Sequence, residues 1–223
     1  AFDLQGNRLR TGPRTRGNAE GSLQGGDDTH LFCPTGFLDD TWFHRTYWLY
    51  GSTWGSGWSG YYVAGQHAPS GKIMCVSDDT AYVFGRQPQY YRWTTPMEYR
   101  LFAADKQWKA AAVKPAAKKK RRGGSGPVTN QANYRWSTAV PILVRAMTLA
   151  DQTLFIAGPR DVLDESTLRR GVSDRLDDVL QQEAELEGHD GGLLWAVSAE
   201  DGGKLAEYEL DAPPVFNGMA AAG

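Results

Sequence analysis

Short runs of apolar, β-branched and aromatic residues, each broken by a few polar or glycine positions, set the pattern of this chain. Residues 72–77 and 81–85 are two such runs, Ile73-Met74-Cys75-Val76 and Ala81-Tyr82-Val83-Phe84, split by Asp78-Asp79-Thr80. A short polar break between runs of this kind predicts a β-hairpin. Tyr99 to Ala103 reads as a further strand, reached through a loop over 87–97. A second hairpin is predicted from 142–148 and 153–158, with a turn near Ala150-Asp151. The third is the best formed. Residues 192–199 run into Glu200-Asp201-Gly202-Gly203, and 204–210 then alternate apolar and polar positions, with an irregularity at Ala206.

One segment carries a helical period. Val172, Leu176, Val179 and Leu180 recur at i, i+4, i+7 and i+8, which predicts a helix near 173–187 packed by that apolar stripe. Ser173 is the expected N-cap and Gly188 the expected stop. Asp174, Asp177 and Asp178 lie in the first turns, where the helix dipole favours them. By contrast, 108–132 lose all pattern around the basic run 118–122 and Gly123, Gly124 and Gly126. Such a segment buries too little apolar surface to offset its ordering entropy, and is expected to be a disordered basic insertion.

Composition narrows the class. The chain has 223 residues and a formal net charge of -2, so no global field draws it to nucleic acid or anionic membrane. Eight Trp and 26 Gly, with repeated turn signals, favour all-β architecture over a helical bundle. No stretch approaches the ~20 apolar residues that span a bilayer. Cys33 and Cys75 are too few for a disulfide framework; they are either one pair formed in an oxidising compartment or two buried thiols. No HxxxH or CxxC spacing and no Gly-x-Ser-x-Gly elbow occurs, so neither a structural zinc site nor an α/β-hydrolase is expected.

The stretch Leu194-Trp195-Ala196-Val197-Ser198-Ala199-Glu200-Asp201-Gly202-Gly203-Lys204-Leu205 resembles the repeat of quinoprotein-type β-propellers, in which a Leu-Trp-Ala strand meets an Asp-Gly turn and a second strand. The glycine supplies the positive φ of a tight turn. Residues 32–48, 72–99 and 214–221 are similar to segments of large repeat propellers of planctomycete-type bacteria. The resemblance implies an all-β fold: a partial β-propeller of about two blades plus the edge of a third, with one inserted helix and the basic loop, the rest of the propeller lying outside this chain. Blade material is then expected over 1–107 and 133–223, with 108–132 as the insertion. It also implies a periplasmic or extracellular location. Pyrroloquinoline quinone and calcium are the cofactors of the enzymes in this class; their acidic and amide ligand set and adjacent cysteines are not found in this sequence.

The most chemically loaded stretch is Asp39, Asp40, Thr41, Trp42, Phe43, His44 and Arg45. Paired carboxylates beside a histidine suit acid–base work or ligand binding, and equally suit a turn in which His44 and Arg45 pair with the carboxylates. Trp54 and Trp58, with Gly55, Gly57 and Gly60 between and after them, form either a stacking platform for a planar cofactor or sugar, or filling between blades. Asp39, Asp40, Trp42, His44, Arg45, Trp54 and Trp58 are therefore the candidate ligand-binding residues, and no catalytic residue is assigned. Two functions follow: a binding or scaffolding propeller with a protein or glycan ligand, or a quinone-dependent alcohol or sugar dehydrogenase.

Overall fold

The computed structural model describes residues 30–32, 48–51, 69–86, 99–106, 132–164 and 175–222. These residues are mostly β. Strands β1 (His30–Phe32), β2 (Trp48–Gly51) and β3 (Ser70–Gly71) form a small antiparallel sheet. Strands β4 (Ile73–Val76), β5 (Thr80–Arg86), β6 (Tyr99–Asp105) and β7 (Tyr134–Thr138) follow as a four-stranded antiparallel meander. Strands β8 (Ala146–Ala150), β9 (Thr153–Gly158), β10 (Gly192–Ser198) and β11 (Lys204–Leu210) form a second meander, and helix α1 (Leu176–Glu187) lies in the sequence between β9 and β10.

The three predicted hairpins correspond to β4–β5, β8–β9 and β10–β11, and Tyr99 to Ala103 lies in β6. Two boundaries differ from expectation. Strand β8 begins at Ala146, and Ile142 makes only an isolated bridge to Arg160. The apolar run 142–144 is instead a lead-in between the two sheets. Strand β7, not anticipated, pairs with β6 through a bulge between Ala103 and Ala104, where Arg135 is the extra residue.

The two meanders pack face to face. Ile73, Tyr82, Phe84, Leu101 and Ala103 of the first meet Met147, Leu154, Ile156, Leu193 and Val197 of the second, with Val140, Ile142 and Val144 filling the seam. Hydrogen bonds cross it: Trp136 Nε1 donates to Ala199 O at 3.0 Å, and the Cys75 thiol donates to Met147 O at 3.4 Å. The second bond sets the first strands of the two sheets, β4 and β8, side by side. The opposite face of the first meander has its own buried cluster, Ala81, Val83, Phe102 and Ala104, with Phe102 set edge-on to Tyr134 at 4.9 Å.

The meanders are copies of one design, their first two strands seventy-three positions apart, their third ninety-three and their fourth seventy. Lys72 N donates to Phe84 O (2.8 Å), and Arg145 N to Ala157 O (2.9 Å). Lys106 N donates to Asp79 O (2.8 Å), and Ala199 N to Gln152 O (2.9 Å). Gly85, next to last in β5, has a Cα hydrogen aimed at Ser70 O, and Gly158, the last residue of β9, faces Leu143 O in the same way. Even the bulge recurs, with Leu205 as the extra residue opposite Ala196 and Val197.

Helix α1 stops as expected: Gly188 adopts the left-handed conformation (φ 84°) and its N–H bonds Glu185 O. Its start is Leu176, with Arg175 at the cap position making no side-chain cap; Ser173 lies outside the described residues. The packing face is the reverse of the one the apolar period predicts. Leu176 and Leu180 are 54% and 51% exposed, while Gln182 and Glu185 are buried. Gln182 accepts from Val162 N (2.9 Å) and Leu163 N (3.1 Å) and donates to Arg160 O (3.0 Å), so polar bonds to the backbone hold the helix down. No helix of the described residues is long and apolar enough to cross a membrane.

Candidate functional site

Consecutive antiparallel strands send alternate turns to the same end of a sheet. That parity brings the β4–β5, β8–β9 and β10–β11 turns together at one end of the paired meanders. They frame an open cleft of about 410 Å³, lined by Ser77, Asp78, Asp79, Tyr82, Arg135, Leu149, Asp151, Gln152, Ala199 and Glu200. Tyr82 and Leu149 give it an apolar floor, and the bulge on β7 delivers Arg135 to its wall.

The wall is an ordered polar network. Arg135 Nη2 donates to Asp79 Oδ2 (2.9 Å) and its Nε to Asp105 Oδ1 (2.5 Å). Thr80 Oγ1 donates to the other Asp79 oxygen at 2.8 Å, and Lys106 Nζ donates to Ser77 O at 2.9 Å. The Arg135 guanidinium, followed by the Thr80 hydroxyl, holds the Asp79 carboxyl below the usual carboxylate range. The β10–β11 turn is equally defined. Gly202 has φ 76°, Asp201 Oδ1 accepts from Gly203 N at 2.9 Å, and that bond keeps the Asp201 pKa low. Asp78, Asp151 and Glu200 are exposed around the mouth. Four carboxylates against one guanidinium give the cleft a negative excess. Such a surface suits a cationic group or a hydroxyl-rich ligand over an anion.

The sequence-based candidates Asp39, Asp40, Trp42, His44, Arg45, Trp54 and Trp58 lie outside the described residues, as does the basic run 118–122. Cys33 lies outside them too. Cys75 is a free thiol, and burial pushes its pKa up to about 11, so it stays protonated and unreactive near neutral pH. Among the described residues no three His, Cys, Asp or Glu side chains stand close enough to share an ion. The cleft carboxylates carry no sequence signal of a site because Asp78, Asp79, Asp151 and Glu200 are each good turn chemistry in their own hairpins. Only strand parity shows that the turns converge.

A second titratable group sits at the opposite end, beside the helix. Asp161 Oδ1 is buried with no hydrogen-bond partner, and burial, then the charge of Asp164, raises its pKa to about 6. A carboxyl raised on folding weakens the fold once ionised: the penalty appears as pH rises from about 4 and is complete above about 6. Asp161→Asn is therefore expected to stabilise the protein at pH 8 by about 1–2 kcal/mol, after discounting for partial solvent access, and to gain nothing at pH 4. Urea unfolding of both proteins at the two pH values checks this. An equal gain at both would assign the effect to something other than ionisation.

The chain matches no family model, and neither a curated protein nor a solved structure is significantly similar to it.

Proposed function

We propose that this chain forms part of a quinoprotein-like β-propeller outside the cytoplasm and works as a binding or scaffolding module, with the cleft at the turn end as its ligand surface. One observation carries the reading: two successive four-stranded meanders share one design and pack face to face with their first strands adjacent. Sheets related in this way, innermost strand beside innermost strand, are the unit from which propellers are assembled. The Leu194-Trp195-Ala196 strand and the Asp201-Gly202 turn support the quinoprotein-like class. The carboxylates and Gln152 of the cleft, over the Tyr82 ring, suit a glycan or a basic segment of a protein partner.

Titration with a glycan panel and with a basic peptide, read by tryptophan fluorescence, tests this. Trp136 reports on the site because its indole bonds Ala199 in the cleft wall. Saturable binding to either that is lost in Asp151→Asn/Glu200→Gln would support the module. A melting temperature that rises only when calcium and pyrroloquinoline quinone are added together would replace it with a quinone-dependent oxidoreductase, since a ligand that binds only the folded state stabilises it.

A further inference from the structure

Residues 160–163 are held from two sides. On the sheet side, Asp161 N donates to Pro141 O at 3.1 Å and Arg160 bridges to Ile142, which fixes this segment to the seam between the meanders. On the helix side, the residues flanking Asp161 bond α1. Glu185 Oε2 accepts from Arg160 N at 3.3 Å, and Gln182 Oε1 accepts from Val162 N at 2.9 Å and Leu163 N at 3.1 Å. Asp161 thus stands in the middle of the stretch that seats the helix, with its Oδ1 buried and without a hydrogen-bond partner. A carboxylate there loses water and gains no donor in exchange, which penalises its ionised form.

The surrounding charges are mostly of the same sign. Asp164 lies on the same segment and opposes ionisation of Asp161. From α1 come Glu185, whose side chain is 4% exposed, and Asp178, which Arg175 pairs. From β11 comes Glu209. Arg160 is divided among Asp190 O (2.6 Å), Glu209 (3.2 Å) and Glu185 (4.0 Å). The lead-in 139–144 contributes no charge. The helix, meanwhile, is tethered at its last turn, where Arg145 Nη2 donates to Leu186 O at 2.8 Å and Gly188 turns the chain at positive φ. It stays attached there when the bonds from Gln182 and Glu185 to 160–163 open.

From this geometry we propose that Asp161 is a proton-operated latch on α1: neutral, it lets the helix seat on 160–163; ionised, it draws water in and releases the helix about its C-terminal tether. The direction follows from the raised pKa of Asp161. Seating is strongest below about pH 4 and weakens as pH rises to about 6 and beyond. The cleft lies at the opposite end of the meanders, so the latch is independent of what the cleft binds.

Residue-resolved hydrogen exchange on the full chain tests this, because the N–H groups of Val162 and Leu163 lose their acceptor when α1 lifts. Their protection is expected to fall about tenfold between pH 4 and pH 7, with little dependence on dilute urea. In Asp161→Asn it should stay at its acid level at both pH values. Gln182→Ala should remove it at both. Equal protection at the two pH values in the native chain would overturn the latch, and so would an equal fall in Asp161→Asn. Exchange of Val162 and Leu163 only together with the strands β9 and β10, at the same urea slope, would place the penalty on global unfolding and also overturn it.

Discussion

Phe102→Ala is expected to lower the unfolding free energy by about 3–5 kcal/mol, the range for truncating a buried aromatic side chain. Phe102 is wholly buried on the face of the first meander that does not meet the second. Its ring stands edge-on to Tyr134, with centroids 4.9 Å apart and planes at 77°, the arrangement aromatic pairs favour. Its neighbours Ala81 and Ala104 are too small to move into the space, so the cavity stays open. For a protein of this size that loss corresponds to about 10 °C or more in melting temperature. Urea unfolding should show a lower midpoint with an unchanged slope. A loss below about 1 kcal/mol would mean that this face is not tightly packed.

The second large effect comes from a residue with no side chain. Gly158→Val is expected to cost about 3–5 kcal/mol, through displaced backbone more than through anything in the side chain itself. A Cβ at Gly158 would lie 2.1 Å from Leu143 O and 3.2 Å from Arg145 N, both main-chain atoms. The lead-in cannot retreat freely, because Leu143 N bonds Pro159 O (3.0 Å) and Arg145 N bonds Ala157 O (2.9 Å) on either side. Gly203→Ala is the control. There the nearest atom, 3.1 Å away, is the Asp201 carboxylate oxygen, which can swing aside, and a change within about 0.5 kcal/mol is expected. Thermal unfolding monitored by circular dichroism compares the three proteins. Equal stability of the Gly158 and Gly203 variants would remove the close-approach argument at Gly85 as well.

Much of this fold is legible in the sequence because its hairpins are local. Asp78-Asp79-Thr80 and Asp201-Gly202-Gly203 specify turns without help from distant residues, and both occur where expected. Strand β7 was hidden by its bulge. The extra Arg135 breaks the alternation, so Tyr134 packs on Phe102 while Trp136 faces the other meander, and no simple period joins them. The lead-in 142–144 reads as strand because it is as apolar as one; two sheets bury it, and apolar runs do not report which neighbour does so. The helix misled for the opposite reason. Its period was right, but the face that docks is chosen by Gln182 and Glu185, whose bonds to the chain at 160–163 are long-range and invisible in a local pattern. The cleft is a property of topology rather than of any motif. Asp79, Arg135 and Asp105 are scattered along the chain and meet only once β4 to β7 are paired.

The inverted docking of α1 has a consequence for how the molecule breathes. A helix held by the Gln182 amide and the Glu185 carboxylate, with its leucines already about half exposed, uncovers little new apolar surface when it lifts away. Its detachment therefore carries almost no denaturant sensitivity and little heat-capacity change, unlike the separation of the two meanders, which uncovers Leu101, Ile142 and Ile156. The protein thus contains two opening modes governed by different chemistry. Gln182 and Glu185 control the first, and it is tuned by whatever competes for main-chain hydrogen bonds at 160–163. The packed seam controls the second, and it follows temperature and urea. A segment that can leave without loosening the sheets beneath it is a place where this scaffold can change its surface while keeping its frame.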